Sequence, residues 1–302
     1  MIPVDRVRSA ARSAAPYILR TPVVPAPDGT SLKLDCLQPT GSFKVRGYFA
    51  AALALDAAEL RKGLLTVSAG NAAAACAYVA HRLGVPCRVV MFETAPAPKL
   101  DAVRRWGARP VLMPREELFR WMAERGWEAE PEAFIHPHTD EEVAAGHGSV
   151  GLELLEQVPG LARVVVPVGG GGLVTGVAAA VKEAEVEVIG VQSDGYPLWP
   201  RSLAAGGQVD LTPATIADGT AAPFNAVMFE RLKECVHRWI VVPEPRLKAA
   251  VAELVAVAKV VPEGAGALAY AALEQLRPGP PTAALVSGGN IDPALLGELV
   301  RP

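Results

Sequence analysis

Short apolar runs rich in β-branched residues alternate with Ala- and Leu-rich stretches along most of the chain. The first four runs are LLTVS (64–68), CRVVMF (87–92), RPVLMP (109–114) and AFIHP (133–137). The stretches at 72–83, 98–106 and 116–126 have helical composition. Continuous apolar runs predict strands that are covered on both faces, as in parallel sheets. The alternation therefore predicts one four-stranded unit in βαβ order.

The same rhythm resumes after residues 141–157, which predict a single long helix. Further strands are predicted at RVVVPV (163–168), VEVIGV (186–191), RWIVVP (238–243) and TAALVS (282–287), and further helices from about 173, at 245–259 and at 265–276. The predicted fold class is α/β, with two open twisted domains, mostly parallel sheets and a ligand between them at the carboxyl ends of strands. We expect a large domain from residues 1–55 and 140–302, and a small domain from residues 56–139.

Composition agrees with a two-domain globular protein of 302 residues, 51% of them hydrophobic. The 29 basic and 32 acidic residues nearly balance, so neither nucleic acid nor a membrane surface is an expected partner. The cysteines lack metal-ligand and Cys-x-x-Cys spacing, which predicts reduced core residues. Residues 1–20 lack the apolar core of a signal peptide, and no apolar run reaches membrane-spanning length. We therefore expect a cytoplasmic protein that acts on a small molecule.

One lysine, Lys44, lies in the stretch QPTGSFKVRGYFAA (38–51), between a turn-like run and a predicted helix. A lysine on a helix is usually a solvated surface charge. Here the neighbours Phe43, Val45 and Tyr48 leave little polar surface. A buried ammonium is costly, so such a lysine usually shifts its pKa or bonds to another group. This segment alone leaves both interpretations open.

The strongest local signal is VVVPVGGGGLVTGVAAAVK (164–182). Its four consecutive glycines are Gly169, Gly170, Gly171 and Gly172. They follow a predicted strand and precede a helix that starts near Leu173, where backbone N–H groups can bind phosphate. The alternative is a flexible linker, which a buried strand and an apolar helix do not usually flank. The spacing excludes the dinucleotide fingerprint, and Val177 and Ala178 exclude a Walker loop, so a smaller phosphate ligand is predicted.

Two stretches share a further pattern, VSAGN (67–71) and VSGGN (286–290). Each is an apolar strand end followed by a Ser-x-Gly-Asn turn, which exposes backbone N–H groups, a hydroxyl and an amide. Each alone is compatible with an ordinary turn. A phosphate-bearing aldehyde cofactor uses a lysine for an imine, glycines for the phosphate, and turns for its ring and the substrate. Together the four features predict one site.

Seven motifs, taken in order, resemble the pyridoxal-phosphate enzymes of the tryptophan-synthase-β class (fold type II), specifically the threonine/serine dehydratase and serine racemase family. They are PTGSFKVRG, SAGN, GHGSVGLELLEQ, PVGGGGLVTG, TIADG, PEGAGALA and SGGNID. The resemblance runs from about Thr21 to Asp292 and so covers nearly the whole chain. It implies pyridoxal 5′-phosphate in a cleft between a large cofactor-binding domain and a small substrate-binding domain. It also implies a homodimer.

The resemblance implies a role for each predicted site residue. Lys44 forms the imine with the cofactor and acts as the base on the substrate α-carbon, and Phe43 packs near the ring. Asn71 lies beside the 3′-oxygen of the cofactor, and Ser287 contacts its ring nitrogen. The residues implied to bind the phosphate are Gly169, Gly170, Gly171, Gly172 and Leu173. The residues implied to bind the substrate carboxylate, largely through backbone N–H groups, are Ser68, Ala69, Gly70, Asn71 and Ala72.

The implied activity is that of a lyase, which converts a β-hydroxy amino acid to a 2-oxo acid and ammonia. A hydroxyl group at the ring nitrogen, where other classes place a carboxylate, stabilises a carbanion poorly and so favours elimination over transamination. The alternatives are a racemase, a hydroxyaspartate dehydratase or a β-replacement enzyme on the same scaffold, and a cofactor-binding protein without turnover. The resemblance places a serine of racemases at the position of Ala69, which argues against racemisation.

Other departures from the family pattern concern a metal site and the substrate. Gln192 and Leu198 stand where the racemase-like members have a glutamate and an aspartate as metal ligands, so we expect no divalent metal site. His138 stands where dehydratases commonly have phenylalanine and racemases asparagine. A lone histidine is more often structural, whereas a substrate role for His138 would favour a polar or acidic side chain, such as that of 3-hydroxyaspartate. Ala72 replaces the histidine that usually follows the first Ser-x-Gly-Asn turn.

Overall fold

The computed structural model describes residues 1–277 and 279–301, which form two β-sheets. The strands are β1 (Val23–Pro25), β2 (Ser31–Leu34), β3 (Leu64–Val67), β4 (Cys87–Phe92), β5 (Arg109–Met113), β6 (Ala133–Phe134), β7 (Arg163–Pro167), β8 (Glu187–Ser193), β9 (Arg238–Val242) and β10 (Thr282–Val286). One sheet has the order β1-β2-β10-β7-β8-β9, and the other β5-β4-β3-β6. All neighbouring strands are parallel except β1 and β2. The predicted fold class is confirmed.

Helices connect the strands in the α/β manner. They are α1 (Val4–Ala14), α2 (Lys44–Ala54), α3 (Ala57–Lys62), α4 (Asn71–Leu83), α5 (Ala97–Arg104), α6 (Arg115–Ala123), α7 (Glu141–His147), α8 (Ser149–Gln157), α9 (Gly172–Val181), α10 (Leu198–Ala205), α11 (Ala226–Cys235), α12 (Glu244–Val257), α13 (Gly264–Ala271) and α14 (Pro293–Leu299). Several ends follow from local chemistry. The side chains of Asp56, Asp140 and Asp292 accept N–H bonds from the first turns of α3, α7 and α14. Gly84, with φ +69°, ends α4 in the left-handed conformation.

All eight strands predicted from the sequence are present, although the run at 133–137 forms only the short β6. The prediction of one helix over residues 141–157 is wrong. Helix α7 ends at His147 and α8 begins at Ser149, with Gly148 between them. A Cβ on Gly148 would lie 2.7 Å from the backbone oxygen of Gly176 in α9. The helices approach each other here at backbone distance, and only glycine allows that approach.

Apolar side chains cover both faces of each sheet. In β7, Val164 and Val166 contribute to one core while Val165 contributes to the core on the opposite face. The four-stranded sheet has a core with Leu64 on one face and a smaller cluster with Leu65 on the other. This alternation explains why the strands read as continuous apolar runs in the sequence.

Helix α2, which begins at Lys44, contributes side chains to the cores of both sheets. Its Val45, Tyr48 and Phe49 belong to the core of the four-stranded sheet, whereas Ala50 belongs to the core of the six-stranded sheet. Lys44 therefore lies at the start of a helix that contacts both units. The domain boundaries after residues 55 and 139 stay a prediction.

The four cysteines, Cys36, Cys76, Cys87 and Cys235, are free and buried. Over residues 1–277 and 279–301, no helix has both the length and the apolar character needed to cross a membrane.

Candidate active site

Three of the predicted site segments directly follow the carboxyl ends of parallel strands. The first Ser-x-Gly-Asn turn follows β3, the glycine loop (169–172) follows β7, and the second Ser-x-Gly-Asn turn follows β10. Loops at these ends of parallel strands meet at one edge of a sheet. Contacts between their residues show which of them the fold brings together.

The segment before Lys44 pairs with the second Ser-x-Gly-Asn turn. The backbone N–H of Phe43 donates to the oxygen of Ser287 at 3.0 Å, and the N–H of Gly289 donates to the oxygen of Gly41 at 2.8 Å. Ser42 and Gly288 form an isolated antiparallel bridge between these bonds. Phe43, Lys44 and buried Ser287 therefore lie together, held by backbone hydrogen bonds.

Lys44 is half-buried, and within residues 1–277 and 279–301 its amine has no carboxylate at ion-pair distance. Its Nζ lies 4.8 Å from the ring centroid of Phe43, and its hydrogen bond to the oxygen of Pro137 is 3.5 Å long. Desolvation lowers the pKa of Lys44 to about 8, against a smaller opposing effect from the charge of Glu263. A substantial fraction of this amine is therefore neutral near physiological pH, which makes it a competent nucleophile and base.

The glycine loop forms a tight cradle at the start of α9. A Cβ on Gly169 would lie 3.0 Å from the oxygen of Gly219, and one on Gly170 would lie 2.7 Å from the Cβ of His138. Gly171 has φ +93°, which disfavours any other residue. The side chain of Leu173 is buried in the core, so only its backbone can serve a ligand. Backbone N–H groups at this helix start suit a phosphate.

The adjacent residues Pro137 and His138 contact the lysine and the glycine loop, respectively. His138 follows Pro137, which accepts the bond from Lys44, and its side chain packs against Gly170. Burial, with smaller contributions from the charges of His136 and Lys44, lowers the pKa of His138 to about 3. Its imidazole is therefore neutral at physiological pH and can both donate and accept hydrogen bonds.

His136 is a neighbour that the sequence did not suggest. Its ring centroid lies 4.6 Å from that of His138, and its Nδ1 accepts from the N–H of Thr139 at 3.2 Å. Burial lowers the pKa of His136 to about 4, so it too is neutral. The hydrogen bond that His136 accepts from Thr139 helps to hold the turn that carries His138. Two histidines separated by one proline were the signal in the sequence.

The two Ser-x-Gly-Asn turns meet through their asparagines. Asn290 donates from Nδ2 to Asn71 Oδ1 at 2.7 Å, and Asn71 donates from Nδ2 to Glu263 Oε1 at 2.7 Å. Glu263 is buried, and desolvation raises its pKa to about 7. Neither Glu263 nor Asn290 was predicted as a site residue, although the motifs PEGAGALA and SGGNID contain them.

The predicted carboxylate loop, residues 68–72, leads into α4. The hydroxyl of Ser68 accepts from the N–H of Gly70 at 3.0 Å, while Gly70 itself is exposed, with open space around its Cα. Ala69 and Ala72 pack against the core of the four-stranded sheet. Helix α4 has no side-chain N-cap, so its first N–H groups lack a side-chain partner. This arrangement suits a carboxylate bound by backbone groups.

Gln192 and Leu198, which stand at the metal-ligand positions of the racemase-like members, have structural contacts instead. Gln192 donates to the oxygen of Val168 at 2.9 Å and accepts from the N–H of Trp199 at 2.8 Å, and Leu198 is buried in the core. In the part of the chain that the structure describes, no group of three or more His, Cys, Asp or Glu side chains is placed to bind a metal ion.

The residues present fit pyridoxal phosphate. A partly neutral lysine amine, without a carboxylate at ion-pair distance among the described residues, suits its aldehyde, and the backbone N–H groups of the glycine loop at the start of α9 suit its phosphate. The site thus contains groups for both functional ends of this cofactor.

Comparisons with known proteins agree with this fit. Residues 14–288 match the family described as pyridoxal-phosphate dependent enzyme. The L-threonine ammonia-lyase of Thermotoga maritima is 39% identical over 279 residues, which are 89% of this chain and 69% of that protein. The structure of a threonine deaminase from T.th. has a TM-score of 0.87 and 39% identity, covering 96% of this chain and 99% of that one. The structure of maize serine racemase has a TM-score of 0.91 and 33% identity, covering 98% of this chain and 96% of that one. The chain therefore belongs to the family of pyridoxal-phosphate-dependent enzymes.

Proposed function

We propose that this enzyme is a threonine/serine ammonia-lyase, which converts a β-hydroxy amino acid to a 2-oxo acid and ammonia. The observation that carries the proposal is Lys44, an amine with its pKa lowered to about 8 that hydrogen-bonds to Pro137, next to the His138 that packs on the glycine loop. The preceding Phe43 is hydrogen-bonded to Ser287 of the second Ser-x-Gly-Asn turn. The L-threonine ammonia-lyase and threonine deaminase, each 39% identical to this chain, support the choice of reaction.

Each predicted residue has a distinct task in this proposal. When bound, pyridoxal phosphate supplies an electron sink for the α-carbon of an amino acid. Lys44 would hold the cofactor, and its free amine would act as the general base toward the α-proton. Backbone N–H groups of residues 169–173 would bind the phosphate, Phe43 would pack near the ring, Ser287 would contact the ring nitrogen and Asn71 the 3′-oxygen.

The substrate binds on the side of the four-stranded sheet. Backbone N–H groups of residues 68–72 bind its carboxylate at the start of α4. His138 contacts the substrate side chain in this proposal, because it follows Pro137, the partner of Lys44, and its imidazole packs on Gly170. A neutral imidazole orients a β-hydroxyl group through a hydrogen bond. The same contact supports 3-hydroxyaspartate as an alternative substrate.

A racemase is the second candidate, since maize serine racemase has a TM-score of 0.91. Racemisation needs an acid that protonates the α-carbon on the face opposite Lys44. Ala69 supplies no hydroxyl at the position that the resemblance gives to this acid, and the Ser68 hydroxyl folds back to accept from Gly70. These features favour elimination over racemisation.

The test is an assay of the purified enzyme with L-threonine, L-serine and 3-hydroxyaspartate, followed by measurement of 2-oxo acid and D-amino acid. We expect 2-oxo acid as the main product, borohydride fixation of the cofactor to Lys44, and loss of both in Lys44→Ala. The control Lys62→Ala changes an exposed lysine on α3 and should affect neither. Release of 2-oxo acid from none of the substrates would refute the proposal, and D-amino acid as the sole product would identify a racemase.

We also propose that the enzyme is cytoplasmic and that, as the family resemblance implies, it is a homodimer. The free, buried state of the cysteines in the structure supports a reducing compartment. Light scattering coupled to size-exclusion chromatography measures the mass of the particle. A mass equal to one 31.6 kDa chain would contradict the dimer.

A further inference from the structure

Three polar side chains from separate parts of the chain form a continuous hydrogen-bonded row at the site. Asn71 begins α4 beside the four-stranded sheet, Asn290 follows β10 of the six-stranded sheet, and Glu263 precedes α13. Asn290 donates to Asn71, and Asn71 donates to Glu263, each at 2.7 Å. The row therefore joins the two sheets across the place where the predicted cofactor-binding segments meet.

The direction of each bond in the row is determined by its ends. Asn290 also donates from Nδ2 to the backbone oxygen of Thr40 at 2.8 Å, and a carbonyl oxygen can only accept. At the other end, the Glu263 carboxylate accepts. A flipped Asn71 amide would place its nitrogen against the nitrogen of Asn290, where no hydrogen bond can form. The orientation in which Asn71 accepts from Asn290 and donates to Glu263 is therefore favoured.

Glu263 is itself fixed by the second Ser-x-Gly-Asn turn. Its backbone N–H donates to the oxygen of Gly288 at 3.0 Å, and its side chain is 7% exposed. A Cβ on Gly288 would lie 2.9 Å from the carboxyl carbon of Glu263 and 3.4 Å from Asn71 Nδ2. Glycine at position 288 thus makes the space in which the carboxylate and the amide meet.

We propose that Glu263 and Asn290 are positioning residues, which hold the Asn71 amide so that its remaining N–H donates to the 3′-oxygen of pyridoxal phosphate. The amide nitrogen of Asn71 carries two hydrogens, and one of them is donated in the hydrogen bond to Glu263. The amide oxygen accepts from Asn290, and the nitrogen keeps one N–H that is not used by Glu263, so Asn71 can present a donor to a ligand. This inference rests on the cofactor role given to Asn71 under the proposed function.

The test compares pyridoxal phosphate with 3-deoxypyridoxal phosphate, which lacks the 3′-oxygen, by titration of cofactor-free protein without substrate. We expect the wild type to prefer pyridoxal phosphate by about tenfold, the effect of one hydrogen bond. In Asn290→Ala and Glu263→Ala this ratio should fall to within about threefold of unity, because the amide loses its fixed orientation. Glu263→Gln, which retains an acceptor oxygen, should keep most of the preference.

The ratio of the two cofactor affinities distinguishes a positioning role of Glu263 and Asn290 from a general effect on folding. Both ligands are measured on the same preparation, so a fraction of unfolded protein changes both affinities alike and leaves their ratio unchanged. The matched control is Glu253→Ala, which removes an acidic partner of Arg246 on α12 and should leave the ratio at the wild-type value. A preference unchanged in both Asn290→Ala and Glu263→Ala would overturn the inference. The titration needs no turnover, so its outcome is independent of which amino acid the enzyme converts.

Discussion

At the scale of single residues, the desolvation that makes the Lys44 amine partly neutral also lowers the stability of the folded protein. Burial removes water from the ammonium, and no carboxylate among the described residues lies at ion-pair distance to offset that loss. Below its pKa of about 8 the folded cofactor-free protein must hold a poorly solvated charge. Function and stability therefore make opposite demands at this position.

We expect Lys44→Met to raise the free energy of unfolding of the cofactor-free protein near neutral pH by about 2 kcal/mol. The folded-state pKa of about 8 lies below the ordinary value of 10.5, so between these values the native protein binds fewer protons than the unfolded chain. Wild-type stability therefore rises with pH across this window, and the advantage of methionine disappears above it. Urea unfolding at a series of pH values measures the difference. A variant no more stable than the wild type at neutral pH would contradict the prediction.

The sequence identified Lys44 because its apolar neighbourhood could be combined with three other motifs, the glycine loop and the two Ser-x-Gly-Asn turns, each of which is visible locally. Glu263 and Asn290 lie in motifs that the sequence revealed, but their contact with Asn71 did not show, since Asn71 is about two hundred positions away in the chain. Lys33 shows the same limit. It is fully buried in β2 because it forms an ion pair with Glu153, a residue far along the chain. Long-range partners of this kind are not visible in one sequence.

At the scale of elements, the junction between β7 and α9 depends on the absence of side chains. The Cβ that any other residue would add at Gly170 meets the side chain of His138, and Gly170 does not have positive φ. Steric contact, rather than backbone conformation, therefore requires glycine here. The neighbouring Gly171, with φ +93°, is required for its conformation instead.

We expect Gly170→Ala to weaken the binding of pyridoxal phosphate by at least about tenfold, because the new methyl group displaces either His138 or the loop N–H groups. Removing the obstacle in the double variant His138→Ala/Gly170→Ala should restore part of the affinity. The control Gly207→Ala adds a methyl group where no atom lies within 4 Å and should bind normally. Fluorescence titration of the cofactor measures all three variants, and normal binding by Gly170→Ala would contradict the steric argument.

The hydrophobic periodicity of the sequence predicts most of the strands but misses some strands and helix ends. The eight predicted strands are apolar because helices cover both faces, so their pattern is strong. Strands β1 and β2 were missed because they are short and include Ser31 and Lys33. The break at Gly148 was missed, and the close approach to Gly176 that requires glycine there is a tertiary contact, which the sequence pattern does not show.

At the scale of the whole molecule, the site is assembled from both sheets. Lys44 and Asn71 lie on helices packed against the four-stranded sheet, whereas Ser287 and the glycine loop follow strands of the six-stranded sheet. Their backbone pairing and the contact between Asn71 and Asn290 hold the segments together. A cofactor bound to all of these groups links the two units and stabilises only the folded arrangement.

Removal of the cofactor should therefore lower the stability of the whole protein rather than that of one loop. Binding to the folded state alone contributes about 2.7 kcal/mol at a cofactor concentration of one hundred times Kd. For a chain of this size that corresponds to a fall in Tm of roughly 5 °C on removal. Calorimetry at increasing cofactor concentration measures the shift. Lys44→Ala should retain a smaller, concentration-dependent shift, because the glycine loop still binds the phosphate after the covalent link is lost. A Tm independent of cofactor concentration in the wild type would show that the two units do not depend on the cofactor for their stability.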